Sequence, residues 1–177
     1  MHFAGRLYFD FVSKDVFRLY RLLADAREGG AEVTVDWRGF PASTSSPDRG
    51  ALAASELVRS ELPRLHGAFV QAVLVAVHLE NADVADHDVL VLAARVAGFD
   101  PVQITPELVA AEGLVLLEDS VSDAQAMGIS LVPSLYRHGT PLLIRTTPAV
   151  AKGSALKRLE IIDAMLDDDG LWELSKP

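Results

Sequence analysis

The chain of 177 residues contains no cysteine, and that absence settles much of its chemistry. Disulfides, thiolate nucleophiles, zinc–thiolate sites, iron–sulfur clusters and C-x-x-C exchange all need thiols that this sequence does not supply. Its five histidines, His2, His66, His78, His87 and His138, never stand three or four residues apart, so no helix face presents a metal-binding pair. His87 lies among Asp83, Asp86 and Asp88, a grouping that reads as a polar helix entry rather than a ligand set. No G-x-x-x-x-G-K, G-x-G-x-x-G or G-x-S-x-G stretch is present, which removes phosphate loops and the hydrolase nucleophile elbow. Ser13 and Asp10 remain. Ser13 is placed to cap a following helix, a role worth about 1 kcal/mol. Asp10, buried close by, would either titrate outside the usual carboxylate range or accept backbone N–H groups at a strand end.

These residues must be held by an opening β-α-β unit. Residues 6–12 are aromatic and β-branched and read as a buried strand, followed by a helix over about 14–28 that Gly29-Gly30 stops. Residues 32–38 alternate as a second strand, parallel to the first through a right-handed crossover. The Ser- and Pro-rich stretch 41–50 is loop. From 51 to 127 the period turns helical, with candidate helices at 51–61, 65–80, 86–97, 106–112 and 119–127. Asp86 and Gly98 are the expected caps of the third, and the apolar run 68–79 the buried centre of a helical subdomain. Two apolar runs, 131–136 and 141–145, then form a hairpin through a Gly-containing link. A final helix over about 154–167 carries Ala155, Leu159, Ile162 and Leu166 on one stripe. The acidic run from Asp167 to Asp169 is read as solvated tail, with Trp172 and Leu174 folding back or packing on a second subunit.

Composition bounds the partners. At 50% hydrophobic and 23% charged residues the chain is globular. Its length buries roughly 70% of the unfolded surface, enough to dispense with staples. A net charge of −9 argues against nucleic acid and against anionic membrane surfaces. Ala68–Leu79 is too short to span a bilayer and is broken by Gln71 and His78. The first residues lack the apolar core of a secretion signal, so a cytoplasmic location is expected. A mean hydropathy of +0.23 leaves room for a homodimer.

The order of elements, with three stretches of residues, resembles the DsbA-like thioredoxin-fold family. Leu7-Tyr8-Phe9-Asp10-Phe11-Val12-Ser13 is similar to that family's opening strand, in which Asp-Phe precedes the active-site turn. The stretch from Ala68 through Asp83–Leu90 to Gly98-Phe99-Asp100 resembles its helical insertion. Ala124 to Ser134, with Val132-Pro133, resembles the approach to its cis-proline. The resemblance implies an α/β thioredoxin-like domain at 1–48 and 121–177, with a helical insertion subdomain at 49–120.

Within that superfamily the C-x-x-C tetrad aligns with Ser13-Lys14-Asp15-Val16, which matches the serine-type branch of kappa-class glutathione transferases and 2-hydroxychromene-2-carboxylate isomerases. By that resemblance Ser13 is the catalytic candidate, donating a hydrogen bond to the sulfur of glutathione or mycothiol. Lys14 would add positive charge. Val132, Pro133 and Ser134 would hold the thiol's peptide part, Val132-Pro133 being cis. Gly153-Ser154 resembles the first half of the Gly-Ser-Asp-Arg turn that binds a γ-glutamyl group, but Ala155-Leu156 replaces the carboxylate and guanidinium. Lys14-Asp15 stands where serine-type members have proline and a small or aromatic residue, and Leu131 where many have glycine. Two readings follow: a redox-inactive relative acting as a binding or assembly module, or a serine-type thiol-dependent isomerase or transferase of small aromatic electrophiles.

Overall fold

The computed structural model describes residues 1–145 and 154–167. Four strands, β1 (His2–Phe9), β2 (Glu32–Gly39), β3 (Ser134–Arg137) and β4 (Thr140–Leu143), form one sheet in the order β2-β1-β3-β4. β1 and β2 are parallel, joined through α1 (Lys14–Glu28), and β3 runs antiparallel to both of its neighbours. Between β2 and β3 come α2 (Arg49–Glu61), α3 (Pro63–Leu79), α4 (His87–Ala97), a 3₁₀ turn (Pro101–Ile104), α5 (Pro106–Leu108) and α6 (Leu114–Ala126). α7 (Ala155–Asp167) closes the described chain. No described helix is long and apolar enough to cross a membrane.

The pleat of β1 divides the interior. Phe3, Leu7 and Phe9 enter one large core, whereas Tyr8 enters a smaller cluster with Phe40, Ala124 and Ile129 on the opposite face. The large core runs through Leu19 and Leu23 of α1, Leu52 of α2, Phe69 and Leu74 of α3 and Leu90 of α4, and returns to Leu159 of α7. Each such side chain withdrawn from water contributes about 1.5–3 kcal/mol. α3 lies centrally in the helical segment, against α2, α4 and α1, as its apolar run implies. Asp86 and Gly98 cap α4: the Asp86 carboxylate accepts from Asp88 N–H at 2.9 Å, and Gly98 sits at φ 91°.

Three boundaries differ from the sequence reading. β1 lies at His2–Phe9 rather than 6–12. It starts early because His2 pairs with Glu32, and it stops at Phe9 because side chains take the next backbone donors: Asp48 that of Phe11, Asp10 that of Ser13. The expected break between helices at 106–112 and 119–127 is absent. Instead α5 continues through a π turn (Val109–Gly113) into α6. Gly113 causes no interruption, since it serves as the contact point with α2, where an added Cβ would meet the Ala53 carbonyl oxygen at 2.7 Å. The hairpin turn is tighter than expected: it has two residues, His138-Gly139, both at positive φ (52° and 92°), so the strands reach Arg137 and Thr140. The strands are shorter because residues 131–133 and 144–145 stay outside the ladder.

Candidate functional site

The carboxyl end of β1 and the amino end of β3 bring Ser13, Lys14 and the Val132–Ser134 stretch to one end of the central strands. Tyr8 pairs with Ser134, so Pro133 lies one step beyond the ladder, beside the strand end from which the chain turns toward Ser13. The Val132–Pro133 peptide is cis. Ser134 is buried and its hydroxyl donates to the Leu131 carbonyl at 2.7 Å, while the Pro133 carbonyl accepts from Ile144 N–H at 2.9 Å. These bonds fix the loop on both sides of Val132. Among the described residues no hydrogen bond engages the Val132 N–H or C=O. Its side chain packs on the small cluster of Tyr8, Phe40, Ala124 and Ile129.

Ser13 is the N-cap of α1. Its Oγ accepts from Asp15 N–H at 3.2 Å and Val16 N–H at 3.4 Å, and its carbonyl accepts from Phe17 N–H. Two of the helix's free donors are thereby satisfied within the chain. Lys14, the first helical residue, is exposed. Asp15 pairs with Arg18 at 2.9 Å, so its charge is partly answered along the helix. Ser154 is half-buried before α7, next to the buried Ala155, and Gly153 lies outside the described residues, as do Asp168, Asp169, Trp172 and Leu174.

Three side chains hold the turn from beneath. Asp10, 4% exposed, accepts from Ser13 N–H at 2.8 Å. Burial pushes its carboxyl up to about 6, with the nearby Asp48 carboxyl adding to the rise and the Ser13 and Val12 N–H groups opposing it. Both roles expected of Asp10 are therefore present together. Asp48, fully buried, accepts from Phe11 N–H at 2.8 Å and from the Ser46 hydroxyl. His78, reaching over from α3, bonds the Phe11 carbonyl through Nε2 at 2.9 Å and stacks on Phe17 with ring centroids 4.7 Å apart. The carbonyl only accepts, so His78 carries its proton on Nε2. Burial lowers its pKa, against the Phe11 bond and with help from Lys14. Phe11 itself sits edge-on to Phe9 in the core.

The sequence reading missed Asp48 and His78 as site residues. His78 left a trace, as a polar break in the apolar run 68–79. Asp48 left none, because it lies 37 residues from its partner in a loop of low information. The cluster around His87 resolves into local caps: Asp83 bonds Ala85 N–H and Asp86 bonds Asp88 N–H. Among the described residues no three His, Asp or Glu side chains converge on a point fit for a metal.

No family model matches the sequence, and no curated protein does. Solved structures do. A protein from Nitrosomonas europaea assigned as a disulfide isomerase superposes with a TM-score of 0.64 at 15% identity, over 96% of this chain and 100% of that one. The catalytic domain of Proteus mirabilis ScsC gives a TM-score of 0.63 at 18% identity, over 91% and 81%. A variant of Pseudomonas aeruginosa DsbA gives 0.62 at 14%, over 93% and 85%.

The fold is DsbA-like.

At these identities the likeness is one of fold. A DsbA-like chain without cysteine has no sulfur with which to exchange a disulfide. The residues also fit glutathione poorly. In the serine-type pattern a γ-glutamyl ammonium would meet a carboxylate at the position of Ala155, which here opens α7 and is apolar and 1% exposed.

Proposed function

We propose that this DsbA-like chain is a redox-inactive binding module that holds an extended polypeptide segment along the Val132 backbone. One contrast carries the reading: the Ser13 oxygen is committed to capping α1, while the Val132 N–H and C=O face no partner among the described residues. An extended segment pairing there adds a strand-like ladder, with main-chain hydrogen bonds supplying affinity. Val12 and Leu131, 37% and 52% exposed, give that position apolar flanks. Asp10, Asp48 and His78 fix the turn that carries Val12, so the surface is preorganised and little ordering entropy is lost on binding.

The thiol-dependent reading keeps one supporting observation. Accepting two N–H groups leaves the Ser13 hydroxyl proton free to donate, as a cofactor sulfur would require. Amide NMR titration separates the two. Extended peptides are expected to shift Val12, Leu131, Val132 and Ser134 in the native protein and in Ser13→Ala alike. Glutathione and mycothiol are expected to shift neither form at millimolar concentration. A thiol response that centres on Ser13 and vanishes in Ser13→Ala would replace the binding-module reading with the enzymatic one.

A further inference from the structure

We infer that the cleft between the loop after β2 and α6 is a side-chain subsite for a cationic extended peptide; this rests on the peptide-holding reading above and specifies its partner. The cleft has a volume of about 450 Å³, inside the range of about 300–1,000 Å³ usual for ligand sites. Its floor is apolar, formed by Phe40, Val121 and Ile129. The same cluster of side chains packs Val132, so floor and backbone site are continuous. Ser130 lines the cleft two residues before Val132. A strand pairing at Val132 carries the side chain two residues further on by about 7 Å, on the same face. Residues 131–133 are bent, so pairing is confined to Val132, and an antiparallel segment paired there continues on the Ser130 side, toward the cleft. Ser122 and Gln125 supply a hydroxyl and an amide at its margin, suited to the main chain of a peptide rather than to a second apolar surface.

Charge selects the flanking residues. α6 bears Glu118, Asp119 and Asp123 and no basic residue. Glu118 forms an ion pair with Arg49 at 3.0 Å, across the cleft. Asp119 is exposed next to Glu118 and in no ion pair among the described residues, whereas Asp123 points away from the cleft-lining face of α6 and acts on Arg6. The chain as a whole carries −9, so an acidic segment is repelled at long range and a basic one is steered in. The occupant is therefore a large apolar side chain with Lys or Arg beside it in an extended segment.

The test uses end-capped, fluorescein-labelled Gly/Ser nonapeptides containing one phenylalanine flanked by lysines, with the phenylalanine moved stepwise along the chain. Anisotropy titration is expected to find one best register. From it, replacing phenylalanine by alanine, or the lysines by glutamates, weakens binding at least tenfold. Ser122→Trp, which fills the cleft from an exposed helix position, is expected to weaken the phenylalanine peptide by a similar factor and to leave the alanine peptide unchanged. Asp119→Lys should at least narrow the preference between lysine and glutamate flanks. Gln125→Trp replaces Ser122→Trp should the latter fail to fold by NMR. If peptides shift Leu131, Val132 and Ser134 but are indifferent to phenylalanine and to the cleft-filling variant, the subsite is wrong and the binding-module reading stands. If no peptide binds at millimolar concentration, both fall.

Discussion

Ser13 shows how one hydroxyl divides its capacity. Its oxygen accepts two helix N–H groups, at 3.2 and 3.4 Å, which leaves it a stabilising residue whatever else it does. Ser13→Ala removes that acceptor and is expected to cost about 1 kcal/mol, within the usual spread for N-caps. Urea unfolding of the two proteins checks this. A loss far below that size would mean that water or the Asp10 carboxylate takes over the cap. Peptide affinity should stay unchanged, because the Val132 backbone does not depend on Ser13. At this scale the sequence was partly legible. The identity of Ser13 and its place before an amphipathic stretch gave the cap, and the Asp-Phe pair gave Asp10 its neighbourhood. The grip of Asp48 and His78 on Phe11 was not legible, since it depends on which loops the fold brings together, and no local pattern encodes that.

At the level of elements, close approach is decided by two glycines of unequal consequence. An added Cβ at Gly113 would meet backbone, the Ala53 oxygen at 2.7 Å and its carbon at 3.0 Å, which can yield only if α2 moves. An added Cβ at Gly39 would meet the tip of Leu117 at 2.8 Å, a side chain with rotamer freedom. Gly113→Ala is therefore expected to destabilise by about 1–3 kcal/mol, and Gly39→Ala by clearly less. Thermal unfolding of both variants checks the order, and a reversed order would mean that α2 yields more easily than Leu117. The same contact explains why the helix boundaries near 113–119 were misread. Glycine reads as a breaker in sequence, but here it makes room for α2, and the chain stays helical by widening one turn. Where punctuation was local the reading succeeded, as with Asp86 and Gly98 around α4. β1 was misplaced at its start because pairing with β2 begins at His2, and at its end because the side chains of Asp48, from a distant loop, and of Asp10 take the donors of Phe11 and Ser13.

For the whole molecule, two buried groups give the stability curve opposing slopes. Asp10 has its pKa raised to about 6 from 3.8. Between those values the folded state holds a proton that the unfolded chain releases, so this contribution stabilises as pH falls and is lost as pH rises through about 6. His66, bonded to Ser55 at 2.8 Å between α2 and α3, has its pKa lowered from 6.5 to about 4, chiefly by burial. Here the unfolded chain takes up the proton first, so stability is lost as pH falls from about 6.5 toward 4. His78, also lowered by burial, adds to the second slope. Each of the two larger effects is worth about 3 kcal/mol, and across much of the same window they offset one another. Asp10→Asn keeps an oxygen for the Ser13 N–H and removes the ionisation. It is expected to raise stability at pH 7.5 and to unmask a steep decline below pH 6.5. His66→Gln should do the converse, lowering stability at pH 7.5 through the disturbed Ser55 contact while flattening the acid side. Urea unfolding at half-unit steps from pH 4.5 to 7.5 reads both slopes. Curves for the two variants that run parallel to the native one would show that neither group titrates differently in the folded state. The compensation matters for the site, because Asp10 and His78 both anchor the turn beneath Val12. Protonating Asp10 as pH falls therefore removes a charge from beneath that turn while the His66 contribution offsets the stability gained.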